Sequence, residues 1–99
     1  MIIRTNLPNY IEHKGIEFNN VADFIESDFW KFYLKELNSV FILKQSLSYP
    51  TDYYVLYGSL KKFNKEFKFR LAHIYLDEYQ QTEPIENYLN SIINENKLK

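Results

Sequence analysis

Three segments rich in β-branched and aromatic residues follow one another in the chain, at residues 40–49, 53–63 and 66–76. Residues of these types favour β-strands. The two stretches between them, residues 49–52 and 63–66, contain the Pro, Asp and Asn residues that are typical of turns. Because strands joined by short turns pair side by side in opposite directions, the sequence predicts a three-stranded antiparallel meander.

The two predicted turns determine which side chains share a face of this meander. We expect a two-residue loop at Asn64 and Lys65, and a first turn that pairs Ser48 with Tyr53. Both assumptions place one coherent set of apolar side chains on the same face. A slip of one residue in either pairing would scatter that set, so the agreement supports the register.

Helical patterns lie on both sides of the predicted strands. Residues 21–37 follow Asn20, a good N-cap, but their apolar side chains occupy two faces. We therefore expect either a kink near Ser27 or a helix buried over more than half its circumference. Residues 84–94 carry apolar side chains at i, i+3, i+4, i+7 and i+8 behind Thr82 as N-cap, which predicts an amphipathic helix.

The order α-β-β-β-α predicts an α+β fold in which the helices pack on one face of the meander. Residues 1–19 are expected to form an extended N-terminal arm or a short hairpin that turns at Lys14 and Gly15. With 99 residues, of which 45% are hydrophobic, the chain has the length and composition of a single globular domain. We place its core at residues 20–96 and a frayed tail at residues 97–99.

Several classes of function lack their characteristic residues. The chain has no cysteine and only two histidines, His13 and His73, and it contains neither an HExxH motif nor an EF-hand loop. With two glycines it has no phosphate-binding loop. It shows no signal peptide and no apolar run of the roughly 20 residues that a membrane span needs. We therefore expect a non-enzymatic cytoplasmic protein with no cofactor, no metal and no membrane partner, and we interpret His73 as a structural residue facing Leu56 in the core.

The composition also bears on origin. Phe, Tyr, Ile, Asn and Lys, whose codons are rich in A and T, make up nearly half of the chain. This usage indicates an AT-rich genome, such as that of a low-GC bacterium or its phage.

The predicted register leaves a second sheet face that is apolar at one end and basic at the other. The apolar end is expected to consist of Tyr53, Val55, Tyr57, Ile74 and Leu76. The basic end is expected to carry Lys44, Lys61, Lys68 and Arg70. An apolar patch on a solvated face needs a cover or a partner, so either the N-terminal arm covers it or another molecule binds there.

Acidic residues gather at the start of the last predicted helix, where Glu83 and Glu86 lie. Negative charge is favourable at a helix N-terminus in any case. The functional alternative is an acidic surface that docks on a basic partner, whose association would then be accelerated by electrostatic attraction.

The α-β-β-β-α order is similar to that of double-stranded-RNA-binding domains. Domains of that family hold phosphates with lysines at the start of their last helix, whereas residues 82–86 here are acidic. The similarity therefore implies a type of fold and does not imply the function.

Three functional hypotheses follow from these features. The first is a small protein-binding module, such as an inhibitor or antidote of phage or mobile-element type, that occludes a larger protein. The second is binding of single-stranded nucleic acid, with Tyr53 and Tyr57 stacking on bases and Lys44 and Arg70 on phosphates. The third is a structural subunit or homodimer joined through the same face.

Overall fold

The computed structural model describes residues 1–5, 16–45, 53–76 and 81–97. The fold is α+β, with a five-stranded antiparallel sheet in the order β2-β1-β5-β4-β3. Its elements are β1 (Ile2–Thr5), β2 (Glu17–Phe18), α1 (Val21–Glu26), α2 (Asp28–Leu34), β3 (Ser39–Gln45), β4 (Tyr53–Lys62), β5 (Lys65–Tyr75) and α3 (Glu83–Lys97).

The N-terminal segment is part of the sheet, so the prediction of a three-stranded meander was wrong in its extent. β1 pairs with β5, where Ile3 lies opposite Ile74, and its other edge pairs with β2. The backbone N–H of Thr5 donates to the Ile16 carbonyl (2.9 Å), and the Ile16 N–H donates to the Thr5 hydroxyl (3.0 Å). The predicted hairpin turn at residues 14–15 lies outside the described residues. Two strands therefore precede the α-β-β-β-α order on which the similarity to double-stranded-RNA-binding domains was based.

A break at Ser27 divides the first helical region, so the first of the two alternatives, a kink near Ser27, is confirmed. The Asn20 side chain accepts from the Asp23 N–H (2.8 Å) and caps α1, as expected. Ser27 has an extended backbone and its hydroxyl accepts from the Trp30 N–H (3.2 Å), so the same residue ends α1 and caps α2. The change of direction lets the rings of Phe24 and Trp30, 5.5 Å apart, both reach the core.

The helices bury their apolar sides against one face of the sheet. The core contains Ile3, Phe24, Trp30, Leu37, Val40, Leu56, Leu71, Ala72, Ile74, Leu89 and Ile93. α3 supplies Leu89 and Ile93 and continues to Lys97, beyond the predicted end at residue 94. Lys97 was expected in the frayed tail, yet its ammonium donates to the Asn38 side chain (2.9 Å). None of the helices in the described ranges has the length and apolarity that crossing a bilayer requires.

Side chains of α3 bind the backbone of β3, which is an edge strand of the sheet. The Asn90 amide accepts from the Val40 N–H (2.9 Å) and donates to the Val40 carbonyl (3.0 Å). The Glu86 carboxylate accepts from the Ile42 N–H (3.0 Å). An exposed edge is a template for pairing with another chain, so these contacts both attach α3 and block that edge.

Replacing Asn90 with alanine is expected to lower the free energy of unfolding by about 1–3 kcal/mol, because two backbone groups of Val40 lose their partner. Urea denaturation followed by circular dichroism would measure the change. Asn87→Ala, an exposed position on the same helix, is the matched control. Equal stabilities of the two variants would show that the Asn90 contacts add nothing.

The β4–β5 hairpin turns one residue earlier than predicted. Phe63 and Asn64 occupy the turn with φ of 54° and 63°, and Lys62 pairs with Lys65. Two central residues with positive φ are the geometry of a type I′ turn. Further from the turn, Leu56 pairs with Ala72 but Tyr57 pairs with Arg70, so β5 contains a bulge.

The bulge reverses the predicted facing of the second half of β5. One extra residue, Leu71, is accommodated between Arg70 and Ala72, and every later side chain moves to the opposite face. Ile74, predicted on the second face, is fully buried in the core. Leu76 packs against the same core. His73, predicted in the core, lies on the second face opposite Val55.

The predicted register of β3 was also wrong. Gln45, and not Ser48, pairs with Tyr53, a difference of three residues that inverts the two faces of the strand. The predicted pairing would place Val40 on the second face together with Lys44, whereas Val40 lies in the core opposite Gly58. A Cβ on Gly58 would lie 2.5 Å from Leu37 Cδ2, so glycine permits the close approach of Leu37 to the sheet.

Candidate nucleic-acid interface

The face of the sheet directed away from the core carries aromatic side chains from three strands. We call it the aromatic face. Its rings belong to Phe41, Tyr53, Tyr57, His73 and Tyr75, and its cations are Arg4, Lys61, Lys68 and Arg70. The core cluster includes no side chain of this set, so the described helices all lie on the other side of the sheet.

One aromatic pair lies at the end of the face closest to the β4–β5 turn. Phe41 and Tyr57 are cross-strand neighbours whose rings stack with centroids 5.0 Å apart and planes 7° from parallel. The Lys68 ammonium lies 5.3 Å from the Phe41 ring centroid, and Arg70 pairs with Tyr57 on the other side. Two aromatic rings that stack on each other therefore lie beside two cations, Lys68 and Arg70.

A second aromatic cluster lies four residues away along β4, or about 13 Å at ordinary strand rise. The Tyr53 ring contacts the His73 ring edge-on at 5.0 Å and the Tyr75 ring at 5.7 Å. The Arg4 guanidinium lies 5.9 Å from the centre of Tyr75 and is paired with Glu17. Between the two clusters Val55 is fully buried, so it offers no surface itself.

The electrostatics of the face favour an anion. Lys61, Lys68 and Arg70 are exposed, and the acidic residue among them is Glu66, opposite Lys61. The hydrogen bond from Arg4 to Glu17 raises the pKa of Arg4, which stays charged. Burial lowers the pKa of His73, and the positive charges of Arg70 and Arg4 lower it further.

The pKa of His73 leads to a pH-dependent stability. The folded state disfavours the charged imidazole, so neutral His73 contributes to the free energy of unfolding. This contribution is complete above about pH 6.5, the ordinary pKa of histidine, and it is lost as the pH falls through the lower pKa that His73 has in the folded protein. We expect the free energy of unfolding of the wild type to decrease more between neutral pH and pH ~5 than that of His73→Gln. Urea titrations at each pH would measure this, and parallel pH profiles would contradict it.

The residues predicted from the sequence fall into two groups. One group lies together on the aromatic face, as expected, and consists of Tyr53, Val55, Tyr57, Lys61, Lys68 and Arg70. The other group is separated from it. Ile74 and Leu76 face the core, and Lys44 lies on the helix-facing side of β3, opposite Tyr54.

The two predicted acidic residues also lie apart from the aromatic face. Glu83 is exposed in the first turn of α3. Glu86 is engaged with the backbone of Ile42. The acidic residues are therefore separate from the aromatic face, as the sequence predicted.

Four members of the aromatic face were not predicted from the sequence: Arg4, Phe41, His73 and Tyr75. The alternation of side chains along β3 and β5 was recognised, but two errors placed Phe41, His73 and Tyr75 on the core side. One was the incorrect pairing of β3 with β4, and the other was the unpredicted bulge in β5. Arg4 was missed because residues 1–19 were not expected to pair with β5. The strand propensity of Ile2 and Ile3 was the signal that pointed to it.

No group of histidine and acidic side chains within the described ranges is arranged to hold a metal ion. No protein family, curated protein or solved structure matches this chain.

Proposed function

We propose that the protein binds single-stranded nucleic acid across the aromatic face. The observation that carries this proposal is the combination, on one face, of two aromatic clusters with the exposed cations Lys61, Lys68 and Arg70. Aromatic side chains on a sheet surface stack with unpaired bases, and neighbouring cations hold the phosphates.

The geometry favours a single strand over a duplex. The side chains of Tyr53 and Tyr57 are partly exposed. Unpaired bases can splay out and stack on such rings, whereas the bases of a duplex are already stacked on one another. Stacking is available to every base, so we expect little sequence preference and a strong contribution from the phosphates.

Titration of labelled oligonucleotides of about twelve nucleotides, within the usual site size of such platforms, tests the proposal. DNA and RNA of the same sequence would be compared. Three phosphate contacts, from Lys61, Lys68 and Arg70, predict that the logarithm of the affinity falls with the logarithm of the salt concentration with a slope of about −2. Absence of binding at low salt and micromolar protein would refute the proposal.

The same face supports a second candidate function, the capture of a protein. Leu43 and Ile2 lie at its rim and are 49% and 40% exposed, and Tyr and Arg are enriched in interface hot spots. The partner would be either a larger protein that the module inhibits or a second copy of the chain.

Sedimentation velocity over a range of concentrations tests the homodimer directly. A mass that rises with concentration, and that returns to the monomer value in Leu43→Asp, would support self-association. A constant monomer mass with no oligonucleotide binding would leave inhibition of a larger protein as the better candidate.

A further inference from the structure

The β4–β5 hairpin projects beyond the rest of the sheet. β3 begins at Ser39, opposite Ser59, and the described pairing of β1 with β5 ends at Thr5, opposite Ala72. Residues 60–67 therefore pair only with each other among the described strands. We call this two-stranded segment the ribbon.

Phe63 at the tip of the ribbon is 93% exposed and has a φ of 54°. Positive φ is uncommon for a bulky residue. Gly adopts it freely because it has no Cβ, and Asn tolerates it because its short polar side chain can hydrogen-bond locally. A large apolar side chain at this position neither packs on the core nor helps the turn. Strained backbone positions cluster at functional sites, so the exposed ring of Phe63 is a candidate binding residue.

The ribbon is strongly basic. It carries Lys61, Lys62 and Lys65 against a single acidic residue, Glu66, and Lys68 follows directly after it on β5. The Lys62 ammonium lies 4.0 Å from the Glu36 carboxylate, and both side chains are more than half exposed. A polyanion is therefore the complementary partner of this surface.

The ribbon is continuous with the aromatic face. Lys61 and Lys68 lie on the same side of the hairpin as Tyr57, and Lys68 reaches back over the ring of Phe41. A strand that leaves the aromatic face toward the turn would pass along these two lysines to Phe63.

We propose that the ribbon binds the junction at which a duplex opens into the single strand held by the aromatic face. This inference rests on the proposed function. Phe63 stacks on the last base pair, as apolar side chains inserted at base steps do in other nucleic-acid complexes. The lysines on the two edges of the ribbon bind phosphates of the two separating strands.

The test compares a forked duplex with a single strand equal in sequence to one of its arms. We expect the wild type to bind the fork about tenfold more tightly, the gain of one additional stacking contact. Phe63→Asn is expected to lose this preference and to keep the single-strand affinity, and its fold is preserved because Asn tolerates positive φ. Tyr88→Asn, which removes an exposed aromatic ring from α3, is the matched control and should behave as wild type.

A fluorescent base analogue in the last base pair reports on the contact itself. Its emission should change when the wild type binds and remain unchanged with Phe63→Asn at saturation. Single-strand affinity without any fork preference would overturn the junction inference alone, whereas loss of binding to both substrates would overturn the proposed function with it. Binding to anionic vesicles that depends on Phe63, without fork preference, would assign the ribbon to a membrane surface instead.

Discussion

Replacing Ile74 with aspartate is expected to leave the protein unfolded at room temperature. Ile74 is fully buried between Ile3 and Tyr54 of the neighbouring strands. Truncation of a buried isoleucine alone costs about 2–5 kcal/mol, and an unpaired buried carboxylate adds several more. The sum is comparable to the entire stability of a small domain, about 5–15 kcal/mol. Far-ultraviolet circular dichroism and urea denaturation would show the loss.

The matched control is Leu43→Asp, which introduces the same charge on the opposite side of the sheet. Leu43 is 49% exposed on the aromatic face, so water solvates the new carboxylate and the variant should fold. This pair of variants tests the bulge at Leu71, because without the bulge Ile74 would lie on the aromatic face. A folded Ile74→Asp with stability close to that of Leu43→Asp would show that the described register of β5 is incorrect.

The double variant Tyr53→Ala and Tyr57→Ala is expected to lose at least about 30-fold in affinity for single-stranded nucleic acid. Each tyrosine belongs to a different aromatic cluster, and loss of one stacking contact costs about 1–3 kcal/mol per base. Fluorescence anisotropy at fixed salt would measure the change. The salt dependence should stay close to that of the wild type, because the cations remain.

Tyr88→Ala serves as the control for this prediction, since Tyr88 is a half-exposed tyrosine on α3, away from the aromatic face. A double variant that binds as tightly as the control would exclude base stacking on the aromatic face. Charge alone would then account for any binding that the wild type shows.

Local chemistry predicted the helices well. The cap at Asn20 and the break at Ser27 were predicted because both depend on a side chain that binds a backbone N–H three residues further along the chain. The apolar spacing in α3 likewise predicted that Leu89 and Ile93 are buried. The existence of the three central strands followed in the same way from residue types that favour extended structure.

The composition of the candidate site was predicted only in part. Tyr53, Tyr57 and Arg70 were correctly placed on one face, because β4 and the first half of β5 are joined by a short turn. The turn was predicted one residue too late, which shifts the pairing by two residues and so leaves each side chain on the same face. His73 and Tyr75 were missed because a single extra residue, Leu71, changes the facing of everything that follows. Nothing in the local sequence distinguishes that bulge from a regular strand.

By itself, the sequence determined the type and order of the central elements, the cap at Asn20 and the break at Ser27, because these depend on contacts between near neighbours. Only the tertiary structure decided the width of the sheet, since β1 pairs with β5 across some seventy residues of chain. It also decided the register of β3, to which Asn90 and Glu86 of α3 bind from 44 to 50 residues away. Because side chains alternate between the two faces of a strand, a shift of register by an odd number of residues moves all of them to the opposite face. The members of the aromatic face could therefore be identified only from the assembled sheet.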